Sequence, residues 1–223
     1  MDYSLYSKPL LLTLRVAGLA TIFVAMTGVP LAYLVSRRKF WGREWLDAFC
    51  TLPLVLPPTV LGYYLIVLWG RHGWLGHWLY QVWGISLMFT WQGAVLASAL
   101  VSFPLVFKSA RAAFEEVDRN LENVARTLGL AEGAVFWRVS LPLALRGIVA
   151  GTMLAFARAM GEFGATLMIA GNLPGKTQTL SLAIYSAVQT GNDTLALALV
   201  VLTSGACILI LVTSGHILKV SLK

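Results

Sequence analysis

Residues 118–142, DRNLENVARTLGLAEGAVFWRVSLP, decide how the rest of this chain is read. They form the one long charged interval in an otherwise apolar sequence and lie between two stretches apolar enough to cross a bilayer. Leu121, Val124, Ala125 and Leu128 recur at i, i+3, i+4 and i+7, which predicts a short amphipathic helix with these four on one face and Glu122, Asn123 and Arg126 pointing elsewhere. Gly129 follows, where a helix commonly ends in a left-handed residue. A second short helix is predicted over 132–139, with Val135, Phe136 and Val139 at the same spacing. It is expected to stop at Leu141-Pro142, because proline removes a helix hydrogen bond and its ring collides with the turn before it. Two short helices meeting at a glycine make a docking element, not a span.

The surroundings of this interval call for lipid. Of the 223 residues 58% are hydrophobic and 12% charged, and the mean hydropathy is +0.76, too apolar for a solvated domain surface. The net charge of +7 does not point to nucleic acid, since the basic residues are dealt out by loop and no RNA-binding signature accompanies them. Cys50 and Cys207 each fall inside an apolar stretch, so they give neither a disulfide framework nor a CxxC metal pair. Only Lys8 precedes the first apolar run and no small-x-small site closes it, so that run is expected to remain as a helix and not to be removed as a signal peptide.

Five spans follow in order. The first is predicted over 9–35, with Gly28 and Pro30 bending its inner third, and Arg15 able to snorkel outward. Arg37, Arg38, Lys39 and Arg43 come directly after it, and short Lys/Arg-rich loops stay in the cytoplasm, which puts the N-terminus outside. The second, 48–69, contains Pro53, Pro57 and Pro58 in LPLVLPP and has to be bent or broken and packed within protein, because carbonyls a turn back lose their donors. Either a packing kink or a pathway-lining break fits it. The interval 70–90, with Arg71, His72, Trp74, His77, Trp78, Tyr80 and Trp83, suits the outer headgroup zone, and its two histidines lack a third ligand for a metal.

The third span is predicted over 91–107, returning to the positive side at Lys108 and Arg111. The fourth, 142–169, would be one helix of about 42 Å, longer than the hydrocarbon core, so its beginning, with Arg146, is expected to project into the cytosol. An outer interval with a short amphipathic piece over 180–188 leads to the fifth span, 195–217, and His216, Lys219 and Lys223 close the chain inside. Lys8, Arg71 and Lys176 are left outside, against Arg119, Arg126, Arg138 and the other basic residues inside.

Two stretches invite chemistry. Ala170-Gly-Asn-Leu-Pro-Gly-Lys-Thr177 nearly spells a nucleotide P-loop, but the first glycine is displaced by one. The run also follows a membrane helix on the outer side, where no strand precedes it. The chain is therefore expected to hydrolyse nothing itself. Arg158 and Glu162, four apart in the fourth span, can pair on one helical face. The pair is either structural or part of a pathway; Gly161 and Gly164 thin the helix beside it, and Thr166 offers a hydroxyl to an oxyanion in transit. Gly147-x-x-x-Gly151 suits close helix packing, and a dimer axis is one place for it. Neither a Ser-His-Asp arrangement nor paired intramembrane carboxylates support an intramembrane enzyme. A stand-alone secondary transporter would need a coupling-ion site and an internal repeat.

Gly129, nine intervening residues and Val139-Ser140-Leu141-Pro142 resemble the cytoplasmic signature of ABC-importer permeases: Glu-Ala-Ala, three residues, Gly, nine residues, Ile, one residue, Leu-Pro. Here the opening reads Asn123-Val124-Ala125, and the acid sits one place earlier, at Glu122. Leu52-Pro-Leu-Val-Leu-Pro-Pro58 with Gly62-Tyr63, and Phe156-Ala-Arg158 through Gly161-Glu-Phe-Gly-Ala-Thr166, are similar to the molybdate-importer permease family, with tungstate and sulfate permeases sharing much of the latter. The resemblance implies an all-α integral membrane protein of about five transmembrane helices, one transmembrane domain over 1–223 with a cytoplasmic coupling loop over about 111–141. It implies a homodimer, two cytosolic ABC ATPase subunits that bind the ATP, an extracytoplasmic molybdate-binding protein, and no cofactor in this chain. The expected ATPase-coupling residues are Leu121, Glu122, Ala125, Gly129, Leu141 and Pro142. The expected pathway residues are Arg158, Glu162, Thr166, Pro57 and Pro58.

Overall fold

The computed structural model describes residues 4–38 and 40–220, with side chains described for 5–38 and 40–212. Lys39, His216, Lys219 and Lys223, which the charge argument placed inside, lie outside the described side chains. All regular structure among the described residues is helical: α1 (Ser4–Arg37), α2 (Arg43–Val55), α3 (Pro58–Trp69), α4 (Trp74–Trp83), α5 (Trp91–Glu116), α6 (Arg119–Thr127), α7 (Glu132–Val135), a π-helical turn (Phe136–Ser140), α8 (Leu141–Met160), α9 (Gly164–Ala170), α10 (Leu180–Gln189) and α11 (Asp193–Val220). Four continuous helical stretches are long and apolar enough to cross a membrane, and the bent pair α2–α3 makes a fifth span if it counts as one.

The centre is α5, packed between α1 and α8. Its buried face is built largely of small residues, Ala94, Ala97, Ser98, Ser102 and Ala110, closed toward one end by Phe107 and Phe114. Ala17, Ala20, Val24, Ala32 and Val35 of α1 are buried, part of them in a shared cluster with α5 and with Ala144, Ile148 and Ala155 of α8. Lipid is as apolar as these side chains, so close backbone approach and van der Waals contact, not exclusion from water, hold such helices together. Gly147 and Gly151 serve this approach within the chain: a methyl on Gly147 would lie 2.6 Å from Ala113 Cβ, and one on Gly151 would collide with Ser109. The placement of that glycine pair at a dimer axis is thereby corrected, because α5 of the same chain already fills the groove. Large apolar side chains such as Leu11, Phe23, Met26, Phe49, Leu197 and Val201 face outward, as a lipid-embedded exterior requires.

Three expectations are corrected. The chain does not stop at Leu141-Pro142; α7, the π-helical turn and α8 run on, so that one helical stretch covers Glu132–Met160. The Leu141 N–H reaches back five residues to the Phe136 carbonyl, and this wider turn gives room for the Pro142 ring where an α-turn would collide with it. The fourth span is not one helix over 142–169, since it breaks at Gly161–Phe163 before α9. And α2–α3 is broken as expected, bending by 115°, but Pro57 and Pro58 are exposed in the single chain instead of packed within it. By contrast α1 passes Pro30 as a single element.

Charged residues collect at one end. Arg43 pairs with Glu115 at 3.0 Å, Lys108 with Asp47 at 2.8 Å, and Arg111 with both Asp47 and, at 2.9 Å, Glu115. These pairs lock the start of α2 to the end of α5. Arg71 lies far along the chain from them, against Tyr80. Near the start of α1, the Thr13 hydroxyl donates to the Pro9 carbonyl and accepts from the Leu180 N–H at 2.8 Å, tying α10 to α1.

Candidate functional site

Two places depart from plain spanning helix, and both hold the residues singled out from sequence. The first is the charged foot. Asp118 caps α6, its carboxylate accepting from the Asn120 N–H at 2.9 Å. Gly129 ends the helix with φ +86°, while Leu130 N–H reaches Ala125 O at 3.2 Å and Gly129 N–H reaches Arg126 O at 2.9 Å. That is the two-bond C-terminal motif that favours glycine. Leu121, Val124 and Leu128 stand exposed in a row at i, i+3 and i+7. Ala125 is buried on another face, and with it Glu122.

The expected face is thus corrected. Ala125 does not share the exposed apolar row, and Glu122 points into the protein. The physical reason is partnership. Glu122 forms an ion pair with Arg37 at 2.8 Å and accepts from the Ser140 hydroxyl at 2.6 Å, and a buried carboxylate is tolerable when paired and hydrogen-bonded. Arg126 reaches over the foot to Glu132 at 2.7 Å, and this hydrogen bond is the leading cause of a guanidinium pKa above its ordinary value. Leu141 is half-buried and Pro142 exposed at the root of α8, so they shape the helix start and do not join the Leu121 row.

The second place is the junction of the two broken spans. Here α3 runs against α9. A methyl on Gly62 would come within 2.6 Å of Met168 Cβ, and one on Gly164 within 2.9 Å of Pro58 Cβ. Gly164 therefore does admit a neighbouring backbone, whereas a methyl on Gly161 would meet only the Arg158 and Ala157 carbonyls of its own chain segment, at 3.9 and 4.0 Å. Glu162 is buried in the break. One oxygen accepts from the Ala165 N–H at 2.9 Å and the other from Arg158 at 2.8 Å, so the carboxylate caps α9 while it pairs back to α8. Arg158 stays about one-third exposed (36%). Thr166 is fully buried and its hydroxyl has no hydrogen-bond partner, so in this conformation it faces no open passage. The junction thus brings together Pro58, Arg158, Glu162 and Gly164, with Pro57, Pro58, Arg158 and Gly161 on its accessible side.

Sequence reasoning passed over Phe89 altogether. It is the one described non-glycine residue at positive φ (58°), its N–H donates to Ile169 O at 3.0 Å, and its ring lies where a methyl on Gly171 would stand. It ties the segment before α5 to the end of α9, and no sequence pattern marks it. Arg15, expected to snorkel, instead lies over the Trp91 ring at 3.9 Å, a cation–π contact. The near P-loop at 170–177 folds as a local turn in which the Thr177 hydroxyl accepts from Leu173 N–H and donates to Gly171 O. Among the described residues no group of three His, Cys, Asp or Glu side chains comes together as a metal site would require.

An apolar bundle with a charged foot and two broken spans fits one class, the membrane subunit of an ABC importer. Residues 28–220 match the model of the binding-protein-dependent transport system inner membrane component, and the chain belongs to that family as a multi-pass inner-membrane protein. It is 45% identical to the molybdenum transport system permease protein ModB of Escherichia coli (strain K12), over 96% of this chain and 94% of that one. It is 46% identical to ModB of Haemophilus influenzae, over 80% of this chain and 78% of that one. Its fold is similar to that of the MetNI methionine ABC transporter in an inward-facing conformation, with a TM-score of 0.74 at 19% identity over 97% of this chain and 96% of that one. That likeness bears on fold alone, the ABC-importer type I permease fold.

Proposed function

We propose that this chain is the permease subunit of an ATP-driven importer that carries molybdate across the cytoplasmic membrane, with tungstate and sulfate as the nearest alternative oxyanions. The observation that carries this reading is the exposed Leu121–Val124–Leu128 row on a foot continuous with a spanning helix, in a chain with near full-length similarity to a molybdenum transport permease. An amphipathic helix seats its apolar residues in a partner's groove, and closure of that partner would then turn α8. The partner is a cytosolic ABC ATPase that binds the ATP; the chain itself supplies neither an ATPase site nor a cofactor.

Two copies of the chain form the pathway, two ATPase subunits dock on their feet, and an extracytoplasmic binding protein delivers the oxyanion. The concentration of paired basic residues at the foot end supports placing that end in the cytosol, the N-terminus outside and the C-terminus inside. Within each copy Arg158 offers a guanidinium beside the break, while Glu162 holds it in place and caps α9. Pro57 and Pro58 keep α2–α3 open where the second copy meets it. Movement of the two broken spans against each other alternates access, as discontinuous helices do in other transporters.

Proteoliposomes holding the permease, its ATPase and the binding protein test this directly. Uptake of radiolabelled molybdate should require ATP and both partners, and excess tungstate should compete more strongly than sulfate. Uptake that persists without the ATPase would favour a stand-alone secondary anion transporter. Uptake inhibited by sulfate alone would move the substrate.

A further inference from the structure

Glu122 sits where a docking surface has no use for it. The side chain is 2% exposed; its Oε1 pairs with Arg37 Nη2 at 2.8 Å and accepts from Ser140 Oγ at 2.6 Å, while Arg126 stands 3.8 Å from its Oε2. The side chain of Arg37 is itself 9% exposed, and its Nη2 also donates to the Val117 carbonyl at 3.1 Å. Three elements therefore converge on one carboxylate: the last turn of α1, the middle of α6 and the π-helical turn that opens α8. A further strand of contact runs from Arg119 to the Ser36 carbonyl at 3.5 Å. The one-residue displacement of the acid from the expected Asn123 register explains the geometry. A step of one residue turns a helix by about 100°, which moves the acid from the exposed face, where Asn123 stands, into the interior.

The other ion pair at the foot is of a different kind. Arg126 and Glu132 are 35% and 68% exposed, so water can replace either partner and the pair resists displacement weakly. Arg37 has no such exchange: Arg126 also stands 3.8 Å from the other Glu122 oxygen, but Arg37 is 9% exposed, and separating it from Glu122 leaves a buried guanidinium unpaired. When α6 is pushed, the buried pair is the contact that holds.

We propose that Glu122 is a positioning residue that, through Arg37 and Ser140, pins the foot to α1 as well as to α8, so that ATPase movement is delivered to two spanning helices together. This rests on the foot being the ATPase docking element. It assigns the docking contact to the Leu121 row and removes Glu122 from it.

The test uses the whole importer in proteoliposomes, with two readouts: ATPase subunit co-purified per permease, and molybdate taken up per ATP hydrolysed. Glu122→Gln should leave co-purification unchanged and lower uptake per ATP by about tenfold, the order that one lost charged hydrogen bond supplies. The exchange R37E/E122R should recover much of that loss. Ser140→Ala should lower it by less, about threefold. As a control on the docking row, Leu121→Glu should release the ATPase. If Glu122→Gln sheds the ATPase from a well-inserted permease, Glu122 is a docking contact and the inference is overturned while the proposed function stands. If uptake per ATP is unchanged in Glu122→Gln, the pin transmits nothing and the inference is equally overturned. Should Glu122→Gln fail to insert, Ser140→Ala decides, and wild-type coupling there overturns the inference. Retention of the ATPase by Leu121→Glu would instead strike the docking reading on which both rest.

Discussion

Glu122 and Glu162 are two buried carboxylates, each 2% exposed and each with a guanidinium at 2.8 Å, yet they hold different things together. The partner of Glu162 is Arg158, one turn back on the same face, and its second bond is to the backbone of the helix it caps. Its role is local: it bridges a break in one span. Glu122 also has an arginine one turn away on its own helix, Arg126 at 3.8 Å, but its short contacts are to Arg37 from another helix and Ser140 from a third. The Arg158 side chain is 36% exposed and that of Arg37 only 9%. The same chemistry thus makes a hinge where its short contacts are near in sequence, and a clamp where they come from distant elements.

The largest effect should come from breaking the clamp. Glu122→Ala leaves the Arg37 guanidinium buried and unpaired and should cost about 3–5 kcal/mol, seen as a lowered thermal unfolding midpoint in detergent. Glu162→Ala is expected to cost up to about 2 kcal/mol, the upper end for a lost helix cap, because Arg158 can reach water or headgroups. Equal losses for the two alanine variants would erase the distinction between clamp and hinge. Gly129→Val forces a β-branched residue to φ +86° and should cost about 1–2 kcal/mol, with molybdate uptake abolished and membrane insertion retained; normal uptake would show that the turn does not orient the foot. Thr166→Val, on the hinge side, should shift the midpoint least, by under about 1 kcal/mol and toward higher stability. It removes a buried hydroxyl that has no partner to lose. A clear fall in uptake with stability intact would bring that hydroxyl back to the pathway in another conformation.

Part of this was visible without coordinates. The i, i+4 spacing of Arg158 and Glu162 announces their pairing because helical geometry alone brings them together. Gly129 announces its turn because few other residues adopt that backbone conformation. The proline run at 53–58 announces a broken span, since proline withholds a donor wherever it stands. Three things stayed hidden. Arg37 read as one member of a topological charge cluster, and nothing in its neighbourhood points 85 positions ahead to Glu122. The break at Gly161–Phe163 was masked by strong apolar character on both sides of it. The π-helical turn before Pro142 was masked by the ordinary rule that proline ends a helix.

The amino-acid order by itself determined what depends on spacing and transfer free energy: lipid residence, which stretches are apolar enough to span, which end collects positive charge, and where Gly129 and the proline run at 53–58 interrupt helices. Only the tertiary structure decided which face of α6 is inside, which glycines pack within the chain, and which arginine Glu122 meets. Periodicity defines the faces of a helix but not its rotation against neighbours. Here the rotation that turns Glu122 and Ala125 in and the leucines out is the one that gives the carboxylate Arg37 and Ser140 as partners.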